Sequence, residues 1–299
     1  MSTNSYSIAL CALNLGQGGK TAGDFVAAIA RHMGRAREAG ARLLVLPEYI
    51  SECFLAWRPE GLSPDGEIAW MAGEADRILP QLRELVTRTG VSLVAGSMPH
   101  AAGEGRFTNR ATAFLHDGRT IHHDKLALTP DEQDRDTWDL YPGDAVTLFE
   151  LDGIRMAMLI CLDVEMPALS CLMAAEAPEL LLVPSMTSSL AGYSRVFGCA
   201  KARAVELMGA VAVCGTVGST PGTTQNEETV SGAALYLPCE PGLGYDGIGA
   251  ALPPVDGKGG EEPFLVVDVP IGEIRALRAG GAEVWPGNWR ADGVALRKA

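Results

Sequence analysis

Short apolar runs alternate with longer amphipathic stretches along this chain, and the two periods separate strands from helices. "YSIALCALNL" (6–15) reads as a strand, and "TAGDFVAAIARHMGRAREAG" (21–40) as a helix closed by Gly40. "RLLVLPEY" (42–49) is a buried strand cut off by Pro47. A loop with Trp57 follows, then a helix from about Asp65 to Thr89 and a strand over "VSLVAGSMP" (91–99). From residue 106 the rhythm changes. "RFTNRATAFLHDGRTIHHDKL" holds two strand-like runs joined at Asp-Gly, and "AVTLFELDGIRMAMLICLD" (145–163) repeats the arrangement. A helix at about 166–177, the strand "ELLLVPSM", the helix 192–209 and the strand "AVAVCGTVG" come next. The final strands are expected at 230–237 and 264–269 with a Gly/Pro-rich loop between them. The last 20 residues read as a short helix and an extended tail carrying Trp285 and Trp289.

Hairpins mixed with strand–helix units predict an α/β layered fold with mixed sheets. No linker divides the chain, so one domain is expected over 1–275, with 276–299 as the tail. At 47% hydrophobic and 20% charged residues, the composition is that of a globular protein. The net charge of −13 disfavours nucleic-acid backbones and anionic membrane surfaces as partners. Seven cysteines without paired spacing read as reduced thiols. With no secretory signal at the start and no apolar run of membrane-spanning length, a soluble cytoplasmic protein is expected.

Four side chains fall where the apolar pattern predicts strand ends, the edge at which open α/β sheets bind ligands. Glu48 in "LLVLPEY" is either a surface-loop carboxylate or a buried one with a raised pKa, suited to general-base work. Lys125 in "TIHHDKLALTPDE" is either solvated or held beside carboxylates, where it can meet a developing oxyanion. Glu132 lies between Asp131 and Asp134, so a solvated acidic turn is the plain alternative. Cys161 in "AMLICLDVEMP" is either a small core residue or a nucleophile in need of a base. Cys11, Cys171, Cys199 and Cys214 fall inside predicted elements and read as core.

Taken together and in this order, "LPEY", "DKLALTPDE" and "LICLDVEMP" resemble the nitrilase, or carbon–nitrogen hydrolase, superfamily. "KARAVELMGAVAV" (201–213) resembles that family's Arg-Ala-rich helix and following strand, and the likeness runs to about residue 270. Two positions depart from the family pattern: Leu162 follows the cysteine where an aromatic residue is common, and Met166 replaces a Phe before Pro167. Both lie where the substrate is expected to sit.

The resemblance implies a four-layer α–β–β–α sandwich and a homodimer or higher homo-oligomer, with the tail around Trp285 and Trp289 as one contact. It also implies hydrolysis of a non-peptide C–N bond in a small amide or carbamoyl substrate. Nitrile hydrolysis and acyl transfer to an amine use the same groups, and an interaction module that only keeps the fold is the third alternative. Glu48 would take the proton of Cys161, whose sulfur attacks the carbonyl carbon. Lys125 and the Leu162 N–H would hold the oxyanion, and Glu132 would keep Lys125 charged and oriented. Ser185, Met186 and Thr187, in "PSMTSS" (184–189), occupy the region that lines the substrate pocket, and Arg195 either meets a substrate carboxylate or caps a helix. No cofactor is expected. No metal is expected either: His100, His116, His122 and His123 could suggest one, but their surroundings lack ligand spacing, and adjacent His122 and His123 point to opposite faces of a strand.

Overall fold

The computed structural model describes residues 4–221, 228–284 and 293–298. The first half runs β1 (Tyr6–Cys11), α1 (Ala22–Glu38), β2 (Leu43–Val45), α2 (Glu67–Thr89), β3 (Ser92–Gly103), β4 (Arg106–Phe114) and β5 (Thr120–Asp124). The second runs β6 (Leu148–Leu151), β7 (Ile154–Met158), α3 (Pro167–Met173), β8 (Leu180–Ser185), α4 (Leu190–Leu207), β9 (Ala210–Gly215), β10 (Ser231–Tyr236) and β11 (Ile248–Val255). β12 (Phe264–Val269) returns to the first half, and α5 (Ile271–Ala276) follows it. Two six-stranded sheets result, ordered β12-β1-β2-β3-β4-β5 and β11-β10-β9-β8-β7-β6. In each, three neighbouring strands are parallel, because helical crossovers join them, and antiparallel strands flank them.

Side-chain alternation decides which face meets which layer. Tyr6, Ile8 and Leu10 of β1 share a buried cluster with Met156 and Met158 of β7 and Leu180 and Leu182 of β8. Ala9 and Cys11 instead join Phe25, Ile29 and Met33 of α1 and Met71, Ile78 and Leu82 of α2. The sheets therefore pack on each other and the helices cover the outside, the four-layer α–β–β–α sandwich. Local chemistry agrees with the element ends. The Thr21 hydroxyl accepts from Asp24 N at 3.1 Å at the start of α1, and Arg35 and Arg37 sit in its last turn.

Three sequence expectations need correction. The strand expected over 42–49 pairs only at Leu43–Val45, and residues 50–57 form a 3-10 helix where a loop was expected. The stretch expected to be a Gly/Pro-rich loop contains β11, "IGAALPPV", despite Gly249, Pro253 and Pro254. β11 lies at the sheet edge, where a missing N–H costs no ladder bond, so the prolines are tolerated there. Trp285 and Trp289 lie outside the described residues. Among those described, no helix is long and apolar enough to cross a membrane.

Candidate active site

Glu48 follows β2 on a turn fixed from below and from across the sandwich. The Pro47 carbonyl accepts from Ser97 N at 3.2 Å, where β3 is irregular at Gly96. A Cβ at Gly96 would lie 2.0 Å from that carbonyl oxygen, and its φ is +64°, so only glycine permits the approach. Glu48 N donates to Ser185 O at 3.2 Å, a bond between the two sheets. Lys125 directly follows β5. Its N donates to Asn109 O at 2.9 Å and its carbonyl accepts from Gly143 N at 2.8 Å. Cys161 opens a 3-10 turn (Cys161–Glu165) beyond β7, with φ of 47°. That left-handed conformation costs a non-glycine residue about 1–2 kcal/mol. It lifts the sulfur out of the strand line and leaves the Leu162 N–H among the first, unpaired donors of the turn.

Asp163 holds this turn against the Lys125 loop. It is fully buried; its Oδ1 accepts from Leu126 N at 3.0 Å and Ala127 N at 2.7 Å, and its Oδ2 from Ile160 N at 3.0 Å. Oδ2 also lies 3.2 Å from His123 Nε2. One carboxylate thus fixes the neighbours of both Cys161 and Lys125.

The four candidate groups converge. Lys125 Nζ donates to Glu48 Oε1 at 2.7 Å and pairs with Glu132 Oε2 at 2.8 Å; all three residues are at most 2% exposed. Glu132 is saturated with donors, its Oε1 taking Tyr49 Oη at 2.6 Å and Asn109 Nδ2 at 3.1 Å, and its Oε2 taking Thr129 N at 2.8 Å. Burial pushes its pKa up, but the Lys125 charge and these donors overcome it and hold it low. Glu132 therefore stays ionised. Glu48 is different: burial raises it to about 7, against the pull of Lys125 and with the Glu132 charge adding to the rise. Burial opposes the Lys125 charge too, yet the two carboxylates outweigh it and raise its pKa. One ammonium facing two carboxylates thus leaves one of them, Glu48, able to take and return a proton near neutral pH.

Cys161 is 5% exposed, and burial lifts its thiol to about 12, with the Glu48 charge adding and Lys125 opposing. Its Sγ donates to Met186 O at 3.3 Å and accepts from Ser185 Oγ at 3.5 Å. The neighbouring Cys161 side chain is among the influences that hold the Glu48 carboxyl down, while its own proton is directed at Met186 O. The resting sulfur is therefore protonated beside a base.

A cavity of about 230 Å³ opens over these groups, lined by Glu48, Lys125, Glu132 and Cys161 with Leu162, Met186, Thr187, Trp138 and Arg195 among others. Of the expected pocket residues, Leu162, Met186 and Thr187 line it; Ser185 does not, lying instead against the sulfur. Arg195 lines the mouth and pairs with Glu165 at 3.4 Å. Cys11 and Cys214 are core as expected, but Cys171 is exposed and Cys199 half-buried, on short or outward helical faces that periodicity alone misassigned. Sequence reasoning gave no role to Asn109, Tyr49, Asp163 or Trp138. The available signals were polar residues inside apolar strand patterns, Asn109 in "FTNRATAF" above all. His122 is exposed and His123 buried, as alternation requires.

The carbon–nitrogen hydrolase family profile matches residues 7–238. A probable hydrolase of Bacillus subtilis, YhcX, is 27% identical over 259 residues, 86% of this chain and 48% of that protein. The chain thus spans about half the length of that relative. Hydrolase Rv0480c of Mycobacterium tuberculosis is 27% identical over 255 residues, covering 84% of this chain and 85% of that one. An amidase of Nesterenkonia sp. has a solved structure that superposes with a TM-score of 0.69 at 23% identity, over 93% of this chain and 95% of its own. With the profile covering most of its length, the chain belongs to the carbon–nitrogen hydrolase family.

Proposed function

We propose that this protein hydrolyses the C–N bond of a small amide or carbamoyl substrate through a thioester on Cys161. The observation that carries the reading is the convergence of a buried thiol, Glu48 and Lys125 on one cavity, with the ammonium bonded to that carboxyl at 2.7 Å. Glu48 takes the thiol proton as sulfur attacks the carbonyl carbon, so the thiol loses its proton only as the new bond forms. The oxygen's new charge is met by Lys125 and the Leu162 N–H, donors of a kind whose single removal costs about 2.7–4 kcal/mol. Glu48 returns the proton to the leaving nitrogen and the C–N bond breaks. Water then attacks the thioester, giving its proton to Glu48, and the acid leaves as sulfur regains a proton. Glu132 takes no proton in this cycle; it keeps Lys125 charged and in place. A cavity of about 230 Å³ suits a small substrate, and the amidase with the similar fold has been solved with butyramide.

The reading is tested by ammonia release from propionamide, butyramide, N-carbamoyl-glycine and butyronitrile, with wild type and Cys161→Ala. Turnover of an amide or carbamoyl compound is expected, with loss of at least about a thousandfold in the variant. Wild type inert to every amide and carbamoyl compound, or a variant as active as its parent, overturns it.

A further inference from the structure

We propose that Cys11, His32 and Glu262 bind one transition-metal dication, zinc being the best fit, on the helix-covered face of the first sheet. The residues reach this point by separate rules. Alternation along β1 turns Cys11 toward α1, away from the partner sheet. His32 lies three residues after Ile29 on the buried stripe of α1, which carries Phe25, Ile29 and Met33. Glu262 precedes β12, whose Phe264 is the strand partner of Cys11 itself. A thiol, an imidazole and a carboxylate are thereby gathered with their donor atoms all within 4.8 Å of one another.

The donor set fits zinc, which takes sulfur, nitrogen and oxygen ligands in a tetrahedron. Bonds of 2.0–2.3 Å put such ligands roughly 3.3–3.7 Å apart, so the trio need close by only about 1 Å. His32 Nε2 already stands 3.1 Å from Glu262 Oε2, while Glu262 Oε1 accepts from Asn14 N at 3.1 Å. The second observation is an orphan: His32 is 5% exposed, yet its Nδ1 has no hydrogen-bond partner. A buried ring nitrogen without a partner is costly, and a metal ligand is one way to satisfy the ring. The ring lies parallel to Phe264, at 5.9 Å between centroids, which leaves its edge facing the other donors.

Access is provided by a separate cavity of about 260 Å³, lined by His32 and Glu262 with Gln17, Gly18 and Gly260, and with no residue in common with the cavity over Cys161. Cys11 is fully buried and does not line it, so the cavity reaches the trio from the His32 and Glu262 side, where it leaves room for a water as fourth ligand. Arg31 and Arg35 also line it. They do not oppose the bound ion, because loss of the thiol proton gives a thiolate and a carboxylate that neutralise a dication. The consequence is mechanical. The segment before β12 is already tied to the stretch after β1 by Asn14 Nδ2, which donates to Gly257 O and Glu261 O at 2.9 Å each. A metal would add a link from that segment to α1.

The test uses the full chain with Cys161→Ser in every sample, so that the thiol near Glu48 contributes no signal. After chelator treatment, Co²⁺ is titrated and the thiolate-to-cobalt charge-transfer absorption followed, with Zn²⁺ as competitor. One ion per chain is expected, with the band absent in Cys11→Ser and the dissociation constant raised at least about 100-fold in His32→Gln and Glu262→Gln. No thiolate band, a band that survives Cys11→Ser, or an unchanged affinity in the glutamine variants overturns the proposal. Glu262 is only partly buried, so Glu262→Gln keeps the experiment decisive if Cys11→Ser fails to fold.

Discussion

Replacing Glu48 with glutamine separates what this carboxyl does for the reaction from what it costs the fold. Unfolded, the group titrates at the ordinary value of 4.5; in the fold it titrates at about 7. A carboxyl raised in this way binds its proton more tightly in the folded state. Stability is therefore lost as pH climbs from 4.5 through 7, and the loss is complete above that. At pH 8 it amounts to at most about 3 kcal/mol. The amide introduced by Glu48→Gln has no charge to carry, and its oxygen can still accept from Lys125 and Asn109, which now bond Glu48 Oε1 at 2.7 and 2.9 Å. Lys125 also retains Glu132 at 2.8 Å. Glu48→Gln is therefore expected to be more stable than its parent at pH 8, by up to about 3 kcal/mol, and by less than about 1 kcal/mol at pH 5. Amide turnover is lost at both. Equilibrium unfolding in guanidinium at pH 5, 6.5 and 8, with turnover measured on the same preparations, checks this. A variant less stable than its parent at pH 8, or a gain that ignores pH, refutes the electrostatic account.

Three further outcomes follow from the same geometry. In wild type, kcat/KM is expected to fall about tenfold per pH unit below a break near pH 7, because protonated Glu48 cannot take the thiol proton; initial rates from pH 5 to 8.5 show the break or its absence. Asp163→Asn sets an amide among three backbone N–H donors and His123, and should cost about 2–4 kcal/mol in urea unfolding. It should also lower kcat more than it raises KM, since Asp163 touches neither cavity nor substrate but fixes the neighbours of Lys125 and Cys161. Lys125→Met leaves two buried carboxylates without their cation, a loss of about 3–5 kcal/mol at pH 8 that shrinks at pH 5 where Glu48 is protonated; unfolding in urea at the two pH values measures it.

Much of this site was legible because its side chains break apolar patterns at strand ends. Glu48 and Cys161 each stand where a hydrophobic run stops, and Lys125 directly follows a strand-like run and precedes an apolar patch. Glu132 was weaker, hidden among acidic neighbours, and its meaning depends on donors from Tyr49, Asn109 and Thr129 that no spacing predicts. Asp163 stood in plain view two residues after Cys161. Its work is done across the sandwich, on backbone N–H groups 36 and 37 residues away, so nothing local distinguished it. β11 was missed because Gly249, Pro253 and Pro254 signal a loop, and only its edge position makes them harmless. The Cys11–His32–Glu262 cluster was invisible for a similar reason: its members meet through the β1–β12 register, from positions up to 251 residues apart (262 − 11).

The central claim is that Cys161 carries the substrate's acyl group, and trapping that group tests it most directly. Turnover of butyramide, quenched in acid within milliseconds and followed by peptide mapping, is expected to place a butyryl mass on the peptide containing Cys161. That mass should disappear on longer incubation as the thioester hydrolyses, and Cys161→Ser should show none of it on Cys11, Cys53, Cys171, Cys199, Cys214 or Cys239. An acyl group mapped to one of those residues, or steady ammonia release by Cys161→Ala, contradicts the account.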